Sequence, residues 1–136
     1  MSVRNCVSRI LLEYSSIIIR NGKGAKDRHT LLAKALHDPL RAHINRLSAL
    51  HEEDLAQGAG YTRLPHALRK KYPNAERELI WQYLFPSAVR RYDPILKAKR
   101  RWHTSVTTIQ KSFRRAVLWA QIRKHATPHT LRHSFA

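Results

Sequence analysis

An α+β fold, mainly helical with a small antiparallel β-hairpin near its amino end, is predicted by three observations on this 136-residue sequence. β-Branched and aromatic residues gather in residues 9–14 and 16–20. A strong turn signal, Asn21-Gly22, follows them. Beyond about position 38 the apolar residues recur at helical spacing rather than alternating. With 43% hydrophobic residues, three Trp and five Tyr, the chain has enough apolar matter to bury a core, unlike a disordered basic tail.

The elements follow in order. Residues 9–14 and 16–20 read as extended. After Gly24, residues 28–32 return, so residues 16–32 form a hairpin. Asp38-Pro39 resembles an N-cap with proline at the first helical position, and Leu40, Ile44, Leu47 and Leu55 supply one apolar stripe until Gly58 and Gly60 end it. Residues 61–73, with Pro65 and Pro73, are irregular or a short helix. A helix over 74–83 uses Asn74 as its N-cap. Phe85-Pro86-Ser87 leaves that helix and Asp93-Pro94 marks a second loop. Val106, Ile109, Phe113, Val117 and Ala120 make residues 104–123 the clearest amphipathic helix, with Lys111, Arg114, Arg115 and Arg123 on its other sides. Thr127-Pro128 caps and starts a last helix carrying His129 and Arg132. No internal repeat or low-complexity tract interrupts this order.

Charge narrows the function. Against 26 Lys and Arg stand 9 Asp and Glu, a net charge of +17, which argues for a polyanionic partner. Residues 94–136 hold ten Lys or Arg and no acid, whereas Asp38, Glu52, Glu53 and Asp54 outweigh Arg41 and Arg46 in the one locally acidic stretch. That stretch is expected to face away from the anion. No run approaches the roughly 20 apolar residues of a membrane span, so neither a span nor a signal peptide is predicted. The single cysteine, Cys6, and nine histidines without cysteine partners predict no disulfide, no metal site and a reducing compartment.

Two constellations carry candidate chemistry. In Gly22-Lys23-Gly24-Ala25-Lys26-Asp27-Arg28 the glycines let a backbone turn approach a phosphate, with Lys23 as point charge or proton donor. A solvated basic turn is the competing reading. In His129-Thr130-Leu131-Arg132 a spacing of three puts imidazole and guanidinium on one helix face, able to hold phosphate oxygens while the histidine exchanges a proton. Two ordinary surface residues would look the same.

Taken together, GKGAKDR followed by a basic helix and TPHTLRHSFA resembles the catalytic domain of the tyrosine recombinases, or phage-type integrases. Residues 64–87, LPHALRKKYPNAERELIWQYLFPS, are similar to an insertion that distinguishes the integron integrases. The resemblance runs from about residue 10 to residue 136. It implies an enzyme that cuts one DNA strand with a tyrosine, holds it as a 3′-phosphotyrosyl bond and religates it without metal or nucleotide cofactor. By this resemblance Lys23 is the general acid toward the leaving 5′-oxygen, Arg132 clamps the scissile phosphate and His129 assists.

The resemblance also implies DNA contacts at Lys26 and Arg28, at Arg114 and Arg115, and at Arg100 and Arg101, the last two through phosphates. Trp81, with Tyr72 and Tyr83, offers stacking faces for extrahelical bases of a folded single-stranded hairpin. For Tyr83 and Phe85, packing of the insertion onto the domain is the stronger expectation. His103 has an uncertain base-gripping role because Trp102 replaces the second histidine of the family segment. Recombination-site DNA as partner, tetramers on that DNA, and a place at the bacterial nucleoid in the cytoplasm are implied as well.

The departures shape a further expectation. The family's first catalytic arginine would fall upstream of Met1, its amino-terminal clamp domain has no counterpart, and Tyr14, Tyr61, Tyr72, Tyr83 and Tyr92 all precede the His-x-x-Arg pair. Residues 1–136 are therefore expected to be a partial catalytic domain, inactive alone. A non-enzymatic basic nucleic-acid-binding module, or the product of a decayed gene, are the alternatives.

Overall fold

Ser16–Ile19 (β2) and Arg28–Leu31 (β3) pair antiparallel in the computed structural model, with Ile17 opposite Thr30 and Ile18 opposite His29. The structure describes residues 6–19 and 27–134, with the backbone alone at Arg28, Arg132 and Ser134. The two strands expected of a hairpin over 16–32 are thus paired, the turn expected at Asn21-Gly22 lying outside the described residues, and Ile10–Leu11 (β1) adds a third strand in the order β1-β2-β3. The extended reading of residues 9–14 is otherwise corrected. A 3-10 turn at Val7–Arg9 precedes β1, and Ser15, at φ 47°, reverses the chain into β2.

By its internal contacts the chain divides into two units, one ending at His103 and the other beginning at Thr104. In the first, His37–Ala56 (α1) is the longest helix. Asp38 is not its N-cap: a 3-10 turn at Lys34–Leu36 runs straight into the helix, which places Pro39 in the first turn, where a missing N–H loses no bond. The carboxyl end behaves as predicted. Gly58 takes φ +69°, Ala59 N–H donates to Asp54 O at 2.7 Å and Gly58 N–H to Leu55 O at 3.1 Å, a Schellman closure that a residue with a Cβ would strain. Leu47, His51 and Asp54 form the buried face of α1.

His66–Lys71 (α2) is the short helix anticipated between the two prolines. The helix expected over 74–83 is instead two 3-10 turns, Ala75–Arg77 and Leu79–Trp81, separated by extended Glu78, and Asn74 makes no capping bond. Helical spacing fails here because the carbonyls an α-helix would use are taken. Glu76 O accepts from Thr62 N–H at 2.8 Å and from Gln82 Nε2 at 3.2 Å, while Arg77 O faces His51 Nε2 at 2.7 Å.

The helical reading of everything beyond residue 38 also misses a second sheet. Pro86–Asp93 (β4) and Ala98–His103 (β5) form an antiparallel hairpin with a bulge between Pro86 and Arg90. Asp93 Oδ1 accepts the N–H groups of Ile95 at 3.0 Å and Leu96 at 3.4 Å, so the loop expected at Asp93-Pro94 is the hairpin turn. The buried set is as much polar as apolar: Leu32, Leu47, Ala59, Ala75 and Leu84 share it with His51, Asp54, Thr62, Glu76, Asp93 and Arg100.

In the second unit, Val106–Trp119 (α3) is shorter at both ends than the 104–123 expected. Ser105 caps it, its Oγ accepting Thr108 N–H at 3.1 Å. At the other end Gln121 adopts φ 52° while Ile122 N–H reaches Val117 O and Gln121 N–H reaches Leu118 O, a Schellman closure made without glycine. Pro128–Ser134 (α4) follows, with proline at its first position as predicted. No helix among the described residues is long and apolar enough to cross a membrane.

Candidate functional site

The capping of α4 is reciprocal. Thr127 Oγ1 accepts Thr130 N–H at 3.3 Å, Thr130 Oγ1 accepts Thr127 N–H at 3.1 Å, and the two hydroxyls lie 3.2 Å apart. Two threonines thereby do what serine and glutamate do in a capping box, and they set where the helix starts. That start places His129 in the first turn, exposed, its ring 6.2 Å from that of His133 one turn on. Position 132 lies three residues further along the same helix, a spacing that shares a face. Lys23 and Lys26 lie outside the described residues, and Arg28 opens β3 opposite Ile19.

On α3, Arg114 and Arg115 are exposed beside Lys111, while Ile109, Phe113 and Val117 make the half-buried stripe. These arginines stand where an anion can reach them.

The β4–β5 hairpin is different. Arg100 is 1% exposed, its Nε 2.6 Å from Asp93 Oδ2 and its guanidinium 3.8 Å from the centre of the Trp102 ring. The expectation that Arg100 contacts phosphate is corrected by this burial, since nothing of the guanidinium reaches the surface. Arg63 completes the cluster, with Nη2 2.7 Å from Asp93 Oδ1. The hydrogen bond from Arg63 is the main reason the Asp93 carboxyl titrates well below the usual range. The N–H groups of Ile95 and Leu96 and the charge of Arg100 add to it, and burial opposes it.

Arg101 is held almost as firmly. Its Nε and Nη2 meet Asp54 Oδ2 at 2.7 Å and Oδ1 at 3.0 Å, and Nη1 donates to Ser87 O and Ala88 O. Arg90 approaches the same carboxylate at 3.6 Å and donates to Gln57 Oε1 at 2.6 Å. Asp54 thus belongs to the stretch read as facing away from an anion, yet it neutralises a residue read as meeting one.

The insertion aromatics divide as follows. Phe85 stacks on His43 with ring centres 5.0 Å apart while staying exposed, and half-buried Tyr83 sets an edge against His103 at 5.4 Å, so each has a partner within the fold. His103 also meets Trp102 edge-on at 6.2 Å. Trp81 is half-buried and Tyr72 exposed, with Lys71 Nζ 5.3 Å from the Tyr72 ring centre. The structure therefore brings Tyr83, Trp102 and His103 together, with Trp81 two residues from Tyr83 along the chain.

Sequence reasoning missed Asp54, Asp93 and Arg63 as charge partners, and Gln57, Arg90 and Lys99 as neighbours. The signal available was the Asp93-Pro94 turn; the residues flanking it, with Arg90-Arg91 and Arg100-Arg101 adjacent, show no hydrophobic alternation. No group of His, Cys, Asp and Glu among the described residues could hold a metal ion.

The model of the phage integrase family matches residues 6–136. Two curated relatives, each described as an integrase/recombinase, one from Escherichia coli and one from Pseudomonas aeruginosa, are 43% identical to the chain over 124 residues. That match takes in 91% of this chain and 37% of each relative, so the chain spans a little over a third of their length.

Proposed function

The chain belongs to the phage integrase family, and on that basis we propose that it is the phosphate-holding part of a site-specific DNA recombinase of the integron-integrase branch. The observation that carries the recombinase reading is the match over residues 6–136, which includes both the GKG sequence at 22–24 and the capped α4 with its His-x-x-Arg spacing. Arg132 holds the non-bridging oxygens of the scissile phosphate and His129, exposed in the first turn of α4, hydrogen-bonds beside it. As a tyrosine attacks phosphorus and the 5′-oxygen leaves, Lys23 supplies its proton, and the 3′-phosphotyrosyl bond conserves the energy needed for religation.

All five tyrosines lie at or before position 92, ahead of the His-x-x-Arg pair, so none is assigned as nucleophile. The integron branch is supported by the insertion over 64–87, where Trp81 offers a stacking face to an extrahelical base of a folded single-stranded site. Recombination sites in DNA are the partner, with assembly as tetramers on them, and exposed Arg114 and Arg115 contribute phosphate contacts.

A suicide substrate with a nick next to the recombination site tests the assignment. The 136-residue chain alone should bind it without a covalent adduct. A longer recombinase bearing this segment should form the adduct, and lose it on Lys23→Ala or Arg132→Ala with binding little changed. An adduct formed by this chain alone would overturn the assignment.

A further inference from the structure

A basic recess lies on one face of the β4–β5 hairpin, and Arg101 is the one residue lining it that is assigned above to phosphate contact. Gln57, Ala88, Val89, Arg90, Lys99 and Arg101 line it, an open recess of about 470 Å³. Strand register explains its composition. Arg90 is directly opposite Arg101 and Tyr92 directly opposite Lys99, and positions two apart share a face, so three cations and one aromatic stand on the same side of the sheet.

The charges do not cancel. Asp54 is the carboxylate that meets the recess cations, and Arg101 takes it at two points while Arg90 stands 3.6 Å from it. Three cations against one carboxylate leave two positive charges, and Lys99 is exposed. Two of the three cations are also pre-positioned. Arg101 is pinned by Asp54 and by the carbonyls of Ser87 and Ala88, and Arg90 by Gln57 Oε1 at 2.6 Å. The bond from Arg90 occupies the Gln57 carbonyl and leaves its NH2 group to donate. An oriented guanidinium loses little freedom on meeting an anion, so the recess is built for one rather than merely solvated.

We propose that this recess binds a backbone phosphodiester of nucleic acid, with Arg90 and Lys99 as the charged contacts and the Gln57 amide as a neutral donor. Tyr92, 62% exposed beside Lys99, favours a polynucleotide over free phosphate, since a phosphate seated at Lys99 leaves the adjoining sugar or base against the ring. The site's charged contacts lie on β4 and β5, not in the GKG sequence or on α4. It rests on the proposed function only in that DNA is the polynucleotide available.

The test is binding of the 136-residue chain to a duplex oligonucleotide at several salt concentrations, with inorganic phosphate as a second probe followed by amide NMR. Lys99→Ala and Arg90→Gln should each reduce the slope of log K against log salt by about 0.9, the loss of one phosphate contact. Lys34→Ala, on the 3-10 turn before α1, should leave it unchanged. Phosphate should shift the Gln57 side-chain amide and the backbone amides of Arg90 and Lys99. If Arg90→Gln unfolds, Lys99→Ala carries the result, because its side chain is at the surface. Salt-dependent DNA binding with unaltered slopes in these variants overturns the recess and leaves the proposed function standing. Absence of DNA binding, with Gln57 still moved by phosphate, overturns the proposed function and reassigns the recess to a free anion.

Discussion

Arg101 grips Asp54 at two points, Nε on Oδ2 at 2.7 Å and Nη2 on Oδ1 at 3.0 Å, so that β5 and the carboxyl end of α1 are joined through one buried carboxylate. Removing the carboxylate strands the guanidinium among carbonyls and leaves Arg90 without a counter-charge. Asp54→Ala should therefore cost about 3–5 kcal/mol, the range for breaking a buried pair from one side. Asp54→Asn keeps the shape and should fall between. Urea denaturation measures both, and a loss under about 1 kcal/mol for the alanine variant would show that the pair is not holding the two elements together.

Acid should unfold the protein partly through Asp93. Its folded carboxyl titrates well below the unfolded value of about 3.9, chiefly because Arg63 donates to it. A carboxylate with a depressed pKa stabilises the fold at every pH above its unfolded value, and that stabilisation is lost as pH falls below it toward the folded value. The stability gap between the native chain and Asp93→Asn should be constant from pH 6 down to about pH 5 and shrink below about pH 4. An equal gap at about pH 3 and pH 6 would count against the assignment.

Two histidines one helical face apart hold the segment after the second proline. His51 Nε2 is 2.7 Å from Arg77 O, and His43 Nε2 is 2.7 Å from Leu84 O with Phe85 stacked on its ring. Each imidazole donates to a carbonyl that would otherwise be released from a helix or strand ladder. His51→Ala should cost about 1–3 kcal/mol, because the part-buried Arg77 carbonyl loses its donor. Hydrogen exchange should quicken in residues 77–84 more than in α2. Equal exchange in both would mean that the histidine only fills space.

What could be read from the sequence, and what could not, divides along physical lines. The pairing of β2 with β3, the Gly58 stop and the start of α4 were readable because each has a local cause: a short run rich in β-branched residues, a residue suited to positive φ, a capping pair. The 74–83 helix failed because His51 and Thr62, distant in sequence, take its carbonyls. The β4–β5 hairpin was hidden because its strands carry adjacent arginines, Arg90-Arg91 and Arg100-Arg101, and show no hydrophobic alternation. Arg100 looks like any surface arginine until Asp93, seven residues earlier, folds back onto it. Gln121 ends α3 in a conformation that sequence reading reserves for glycine.

Thr127 is the residue on which the position of His129 depends. Thr127→Ala removes both the acceptor for Thr130 N–H and the hydroxyl partner of Thr130 Oγ1, and should weaken α4 by about 1 kcal/mol, while Thr127→Ser should restore it. The Cα chemical shifts of residues 128–134 report the change directly. Helical shifts that persist in the alanine variant would show that Pro128 alone suffices to start the helix.

Arginines that look alike in sequence should separate cleanly when stability and DNA binding are measured side by side. Arg114 and Arg115 are exposed on α3, so alanine at either should leave stability within about 0.5 kcal/mol and, if each meets one phosphate of duplex DNA, lower the salt slope by about 0.9. Arg100 is enclosed by Asp93 and the Trp102 ring, so Arg100→Ala should do the reverse. It takes the Oδ2 partner from the buried Asp93 carboxylate while Arg63 stays on Oδ1, so it should cost less than the roughly 3–5 kcal/mol of stranding a buried charge and leave the slope unchanged wherever the variant is still folded. Arg100→Lys discriminates further. It keeps the charge but not the planar stack on Trp102, and so should recover only part of the stability. A reduced slope for folded Arg100→Ala would place that guanidinium at the DNA after all, which requires the Asp93 pair to open on binding.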